Sequence, residues 1–173
     1  MPNVLGIAGV GVTGVALLFS ILACALPLWT ISDLPCDGCT EIGLWRYCIT
    51  SLGVETCDDV DEDLVGSDTF DDVKVIRAML LLGIILTVPA IVCGLLVLFV
   101  LKDKKILFFV AGGIAILAGL FKMVGFAHYT EEIYDSDNDT TSLGAAYALC
   151  IVAWLLAWIA GALFIVAKIM DKE

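Results

Sequence analysis

Four stretches of the chain run apolar for longer than a buried globular helix needs: residues 4–29, 75–101, 106–127 and 143–167. Between them the polar positions gather in two acidic segments, 30–74 and 128–142, and one short link, 102–105. About 20 apolar residues carry a helix across roughly 30 Å of hydrocarbon. Hydrocarbon offers no partner to loose backbone N–H and C=O groups, so each stretch is expected as a membrane-spanning helix. Small residues recur at helical spacing as Ala16/Ser20/Cys24, Ala111/Ala115/Gly119 and Ala153/Ala157/Gly161. Such rows let helix backbones approach closely and predict packing within one bundle. Pro89 lacks an N–H and is expected to bend the second span. Lys122 lies about five residues inside the outer end of the third span and is expected to snorkel outward. Trp29, Tyr129 and Tyr147 fall at the outer boundary, where an interfacial aromatic belt is expected.

The first acidic segment also carries a strand pattern. Residues 41–50 and 54–60 are rich in Ile, Val, Thr, Tyr and Trp and are separated by Ser51-Leu52-Gly53. That predicts a strand, a glycine-containing turn and a second strand. Residues 58–72 form an acid run with Gly66 and Ser67, expected as a solvated loop or short helix leading into the second span.

Composition agrees with the pattern. Of 173 residues, 61% are apolar, and the mean hydropathy is +1.02; soluble domains sit nearer about 45–50% apolar. Residues 1–173 therefore read as one four-span domain with no separate soluble part. Charge sets the orientation. The link Lys102-Asp103-Lys104-Lys105 is net positive, whereas the first loop carries twelve acids against Arg46 and Lys74. The second loop has five acids and no Lys or Arg. Positive residues stay inside, so the link and both termini are expected in the cytoplasm and both acidic loops outside. The overall net charge of −11 belongs to those outer loops and argues against nucleic acid as a partner. Ala23-Cys24-Ala25 resembles a signal-peptidase site, but no Lys or Arg precedes the run and it exceeds a usual h-region, so it is expected to stay uncleaved.

Cysteines and acids narrow the chemistry. Cys24, Cys93 and Cys150 lie within spans as small apolar residues. Cys36, Cys39, Cys48 and Cys57 share the first outer loop, where disulfides persist, and permit three pairings. A Cys48–Cys57 bond would staple the hairpin, contributing roughly 2–3 kcal/mol in the chain-entropy model. Cys36 and Cys39 could close a bridge of their own. The wide gap between Cys48 and Cys57 does not fit zinc spacing. Asp59/Asp61/Asp63 and Asp135/Asp137/Asp139 repeat as DxDxD, yet neither string has the Gly and Glu that complete an EF-hand. Both read as solvated acid runs. Asn138-Asp139-Thr140 is a glycosylation acceptor. His128 is the only histidine, and no nucleophile–base pair, phosphate loop or metal-protease motif is present, so neither an enzyme nor a cofactor is expected.

Leu26-Pro27-Leu28-Trp29, Gly43-Leu44-Trp45-Arg46-Tyr47-Cys48 and Cys57 resemble the W…GLWxxC…C signature of the claudin superfamily. That superfamily includes the peripheral myelin and epithelial membrane proteins, the lens fibre membrane protein and the calcium-channel gamma subunits. Arg77-Ala78-Met79 resembles its second-span entry and Leu143-Gly144-Ala145-Ala146 its fourth. The resemblance implies an all-α transmembrane left-handed four-helix bundle with a small extracellular antiparallel β-sheet. It implies that Trp29 and Trp45 anchor the sheet at the membrane surface and that Cys48–Cys57 tie two strands. Gly43 suits a bulge or a close backbone approach. The residues Met170-Asp171-Lys172-Glu173 lack the Tyr-Val ending of many claudins, and no cysteine pair marks the cytoplasmic span ends, so claudin-type scaffold tethering is not expected.

The reading implied is a claudin-like structural protein of the plasma membrane at cell–cell junctions. It would self-associate in cis and trans and form a paracellular barrier or a cation-favouring path. Asp58 falls where claudin pore-charge residues lie. The alternatives are an auxiliary, gamma-like subunit of an ion channel or receptor, and a myelin- or epithelial-type membrane organiser without a pore. Expected partners are the lipid bilayer, further copies of the chain, other claudin-like proteins or an ion channel.

Overall fold

A computed structural model describes residues 4–34, 38–51, 53–101, 104, 106–134 and 141–170. Helix α1 is Val4–Ala25, followed by strands β1 (Thr30–Leu34), β2 (Gly38–Ile42), β3 (Arg46–Ser51) and β4 (Val54–Asp59). A single turn, α2 (Glu62–Val65), leads into α3 (Ser67–Leu95), which runs through Pro89 and widens into a π-helical turn at Leu96–Val100. Then come α4 (Ile106–Glu132), β5 (Thr141–Leu143) and α5 (Ala145–Met170). Helices α1, α3, α4 and α5 are each long and apolar enough to cross a membrane. They form a ring in which α1 packs on α3 and α5, and α4 packs on the same two.

The burial pattern is inverted relative to a water-soluble bundle. Ala16, Ala90, Ala111, Ala153 and Ala160 are fully enclosed, while Leu18, Ile85, Phe109 and Ile159 face outward. All three small-residue rows are buried within this single chain, as the sequence predicts. Small interior residues bring backbones together, and large apolar ones meet lipid. At the end remote from the sheet, Phe164 lies where a Cβ on Gly9 or Gly94 would stand, so those glycines clear its slot.

The sheet is wholly antiparallel, in the order β4-β3-β2-β1-β5. Two sequence expectations are corrected here and one is sharpened. Residues 41–50 are two strands rather than one, because the chain reverses at Gly43-Leu44-Trp45, where the Gly43 N–H donates to Arg46 O at 2.9 Å. The helix carrying the second span begins at Ser67, ahead of residue 75, and of the two forms expected for the acid run, loop or short helix, the helical one is found at Glu62–Val65 and from Ser67 onward. Trp29 and Tyr129 are fully buried, and Tyr147 packs against them, so the three form an internal cluster and not a lipid-facing belt. Strands β1 and β5 were not anticipated. The Cys36–Cys39 bridge and Asn138 lie outside the described residues.

Lys122 supplies a third correction. Helix α4 continues to Glu132, which puts Lys122 roughly 15 Å below its end at 1.5 Å per residue. That is beyond the reach of a snorkelling side chain. It is instead 1% exposed between α3 and α4, its stem filling the slot left by Gly83. Its Nζ donates to Thr87 Oγ1 at 3.2 Å, and the Thr87 hydroxyl donates to Gly83 O at 2.7 Å. A buried charge with so few partners gains little over an apolar group of the same shape. Lys122→Met is therefore expected to leave thermal unfolding in detergent unchanged or to raise its midpoint. Thr87→Val, which strips the amine of this acceptor, should cost about 1–3 kcal/mol. A marked loss in Lys122→Met would show that the amine holds something more than Thr87.

Candidate functional site

The residues singled out in the sequence converge where the sheet meets the bundle. Leu26 precedes Pro27, a position that disfavours helix, and α1 ends at Ala25. The last carbonyls of a helix lack intrahelical donors. One of them, Ala23 O, accepts from the Trp29 indole Nε1 at 2.7 Å, so Trp29 caps the helix it follows. The Trp29 backbone then joins two further segments, and its neighbour Leu28 a third. Its N–H donates to Ile42 O at 2.9 Å, starting the β1–β2 ladder, and its C=O accepts from Gly144 N at 2.8 Å. Leu28 O accepts from Ala146 N at 2.9 Å, supplying an orphan first-turn donor of α5. A side chain at Gly144 would collide with that same Leu28 carbonyl, which is why the approach needs glycine.

Around the indole, Tyr129 and Tyr147 pack at 4.8 and 5.9 Å between ring centroids. Tyr129 OH and Thr30 Oγ1 share a hydrogen bond of 2.7 Å that ties α4 to β1. Tyr147 OH and Thr130 Oγ1 do the same between α5 and α4 at 2.8 Å.

Arg77 makes the second lock. It lies on α3, and its Nε donates to Leu44 O at 2.8 Å while Nη2 donates to Val60 O at 3.3 Å. Its guanidinium stacks over Trp45 at 4.6 Å and lies 5.6 Å from the Phe70 ring. One planar cation thus holds the β2–β3 turn and the exit from β4 against the bundle. Leu44 beside it is buried, whereas Trp45 is exposed, with one face covered by Arg77. Gly43 fits because a Cβ there would run into Pro27 Cα. His128 Nε2 lies 3.1 Å from Asp72 Oδ1, linking α4 to the start of α3.

Cys48 and Cys57 are directly opposite in the β3–β4 ladder and are bonded to each other. Asp58 is exposed on β4 beside that bond and lines an open groove of about 520 Å³ with Tyr47, Asp59, Asp61 and Asp63. The structure therefore sets Asp58 among other acids. Arg46 and Asp59 approach to 3.4 Å across the strands, both well exposed, where solvent screens the pair. Sulfur and carboxylate ligands of Cys48, Glu55 and Cys57 cluster here, but the disulfide occupies both sulfurs. Sequence reasoning missed Thr30, Thr130 and Ala23 O as partners, since their proximity arises only from tertiary packing.

Four membrane-crossing helices, a five-stranded antiparallel sheet at one end, and a Trp29/Trp45/Arg77 lock beside a cross-strand disulfide define a multi-pass membrane protein of claudin-like fold. The chain belongs to the PMP-22/EMP/MP20/Claudin family, a family of structural membrane proteins, whose model matches residues 3–164. Epithelial membrane protein 1 of Homo sapiens is 24% identical over 163 residues, covering 94% of this chain and 96% of that one. The Mus musculus protein of that name is 25% identical over 162 residues, 90% of each chain. The Oryctolagus cuniculus one is 23% identical over 147 residues, 82% of each.

Proposed function

We propose that this chain is a structural organiser of the plasma membrane at cell–cell contacts. It associates laterally with further copies in the bilayer and offers its sheet to partners outside the cell. The observation that carries this reading is the double lock of Trp29 and Arg77, which joins the sheet to all four spanning helices. A sheet so held moves with its bundle, so what binds above is felt within the membrane. The basic link beside Lys104 supports a cytoplasmic side for both termini, by the preference of positive residues for that side. Full-length similarity to Epithelial membrane protein 1 favours an organiser over an auxiliary channel subunit.

A second reading, a cation-favouring path between cells, is favoured by the groove of Asp58, Asp59, Asp61 and Asp63. A narrow path lined by carboxylates lowers the energy of a cation and raises that of an anion.

Expression of fluorescently tagged chain in an epithelial monolayer separates the two. The organiser reading expects accumulation at contacts, in-plane energy transfer between copies, and an unchanged sodium-over-chloride dilution potential. Absence of energy transfer between copies would remove it. A raised potential that Asp58→Asn lowers would establish the path instead.

A further inference from the structure

Strand β4 is the terminal strand on its side of the sheet, and all six of its residues are exposed. Its hydrogen-bond phase follows from one contact. Val60 N donates to Trp45 O at 2.9 Å, so the hydrogen-bonded pairs of the ladder recur two residues apart, at Tyr47/Asp58, Ile49/Thr56 and Ser51/Val54. Cys48 and Cys57 then form one of the closer, non-hydrogen-bonded pairs, as their Cα separation of 4.1 Å requires. Glu55, Cys57 and Asp59 consequently turn their backbone N–H and C=O groups away from β3. Among the described residues no strand lies against them.

An open strand edge is a template for pairing, and proteins usually blunt it with charged side chains, lysine above all, with proline or with a bulge. Val54-Glu55-Thr56-Cys57-Asp58-Asp59 has neither lysine nor proline, and its pairing with β3 is continuous. Its charges select the occupant. Because outward-facing residues must lie opposite one another, two antiparallel β4 copies centred on Thr56 would set Glu55 against Cys57 and gain no charge pair. Centred on Cys57, they would set Glu55 against Asp59. Like charges directly opposite are destabilising. Lysine or arginine on an incoming strand would instead meet Glu55 and Asp59 on one face and Asp58 on the other, with Asp61 and Asp63 just beyond in the groove.

We infer that the outer edge of β4 receives an extended, lysine- or arginine-rich segment of another protein as a sixth strand of the sheet. The backbone groups of Glu55, Cys57 and Asp59 supply the ladder, and the surrounding carboxylates select the basic side chains. This rests on the reading above only in taking the sheet as the partner-facing surface.

The test uses the full chain in phosphatidylcholine nanodiscs and a fluorescent peptide of alternating lysine and threonine, with anisotropy as the readout. The peptide is expected to bind saturably above empty discs. Methylating its ladder-forming backbone nitrogens should weaken binding about tenfold or more through lost hydrogen bonds. Glu55→Pro removes one outward N–H without touching a β3–β4 bond, and should weaken binding similarly. Glu55→Gln, which keeps the backbone, should weaken it about threefold. Equal binding of the methylated peptide would mean electrostatic adsorption only and would overturn the inference, as would no binding above empty discs. Loss of in-plane energy transfer between copies in Glu55→Pro would make β4 a self-association edge, overturning the inference while leaving the organiser reading intact. Energy transfer absent in the unaltered chain would sink the organiser reading whatever the peptide does.

Discussion

Replacing Trp29 by alanine should lower the stability of the whole protein by about 3–5 kcal/mol, the range for deleting a buried aromatic side chain. Trp29→Phe should cost less, about 1–3 kcal/mol, because one aromatic ring remains while the donor to Ala23 O and part of the indole's packed volume are lost. The difference between the two substitutions reports the packing of the ring that remains. Cys24 and Cys150 are buried thiols close to this junction, so a thiol-reactive dye reports its opening during a thermal ramp in detergent. Equal midpoints for Trp29→Phe and the unaltered chain would mean that the indole hydrogen bond contributes nothing.

The second large effect is expected at Arg77. Alanine there removes donors from Leu44 O and Val60 O and uncovers the Trp45 face, for a loss of about 2–4 kcal/mol. Lysine should not rescue it. An ammonium is a point charge without a planar fork, so it cannot reproduce both hydrogen bonds and the stack together. The readout is local: amide hydrogen exchange in β3 and β4 should accelerate while Cys150 stays protected from thiol reagents. Unchanged protection of β3 and β4 in Arg77→Ala would show that the sheet is held by other contacts.

The spans were legible because hydrocarbon thickness and backbone satisfaction leave few options to apolar runs of this length. The hairpin closed by Cys48 and Cys57 was legible from its turn glycine and its cysteine spacing. The reversal at Gly43-Leu44-Trp45 was hidden, since Leu and Trp also suit a strand and only the close approach of Pro27 demands a bend there. Strand β5 is Thr141–Leu143, too short for any alternation to register. Trp29 has the same amphipathic character whether it faces headgroups or caps a helix, and sequence cannot distinguish a lipid carbonyl from Ala23 O. Lys122 lies deeper than the apolar run implies, because that run ends at residue 127 while helix α4 continues to Glu132. Its acidic last turn, Glu131 and Glu132, reads as loop until Tyr129 and Thr130 are seen tied to β1 and α5. Of the candidate site, the motif residues are legible in the sequence, but their partners are mostly backbone carbonyls, which carry no side-chain signature.

Strand β1 lies between β2 and β5, and this placement imposes an order on biosynthesis. Strands β1 to β4 are contiguous in sequence and can pair as soon as the first loop has emerged. Residues 30–32 gain their other neighbour only when residues 141–143 arrive, at the threshold of the last helix. Until then β1 presents a bare edge, and α1 and α4 lack the wall that α5 completes. A chain stalled or cut short before its fourth insertion therefore carries an unfinished sheet, a feature by which a cell's quality-control machinery can tell it from a finished one.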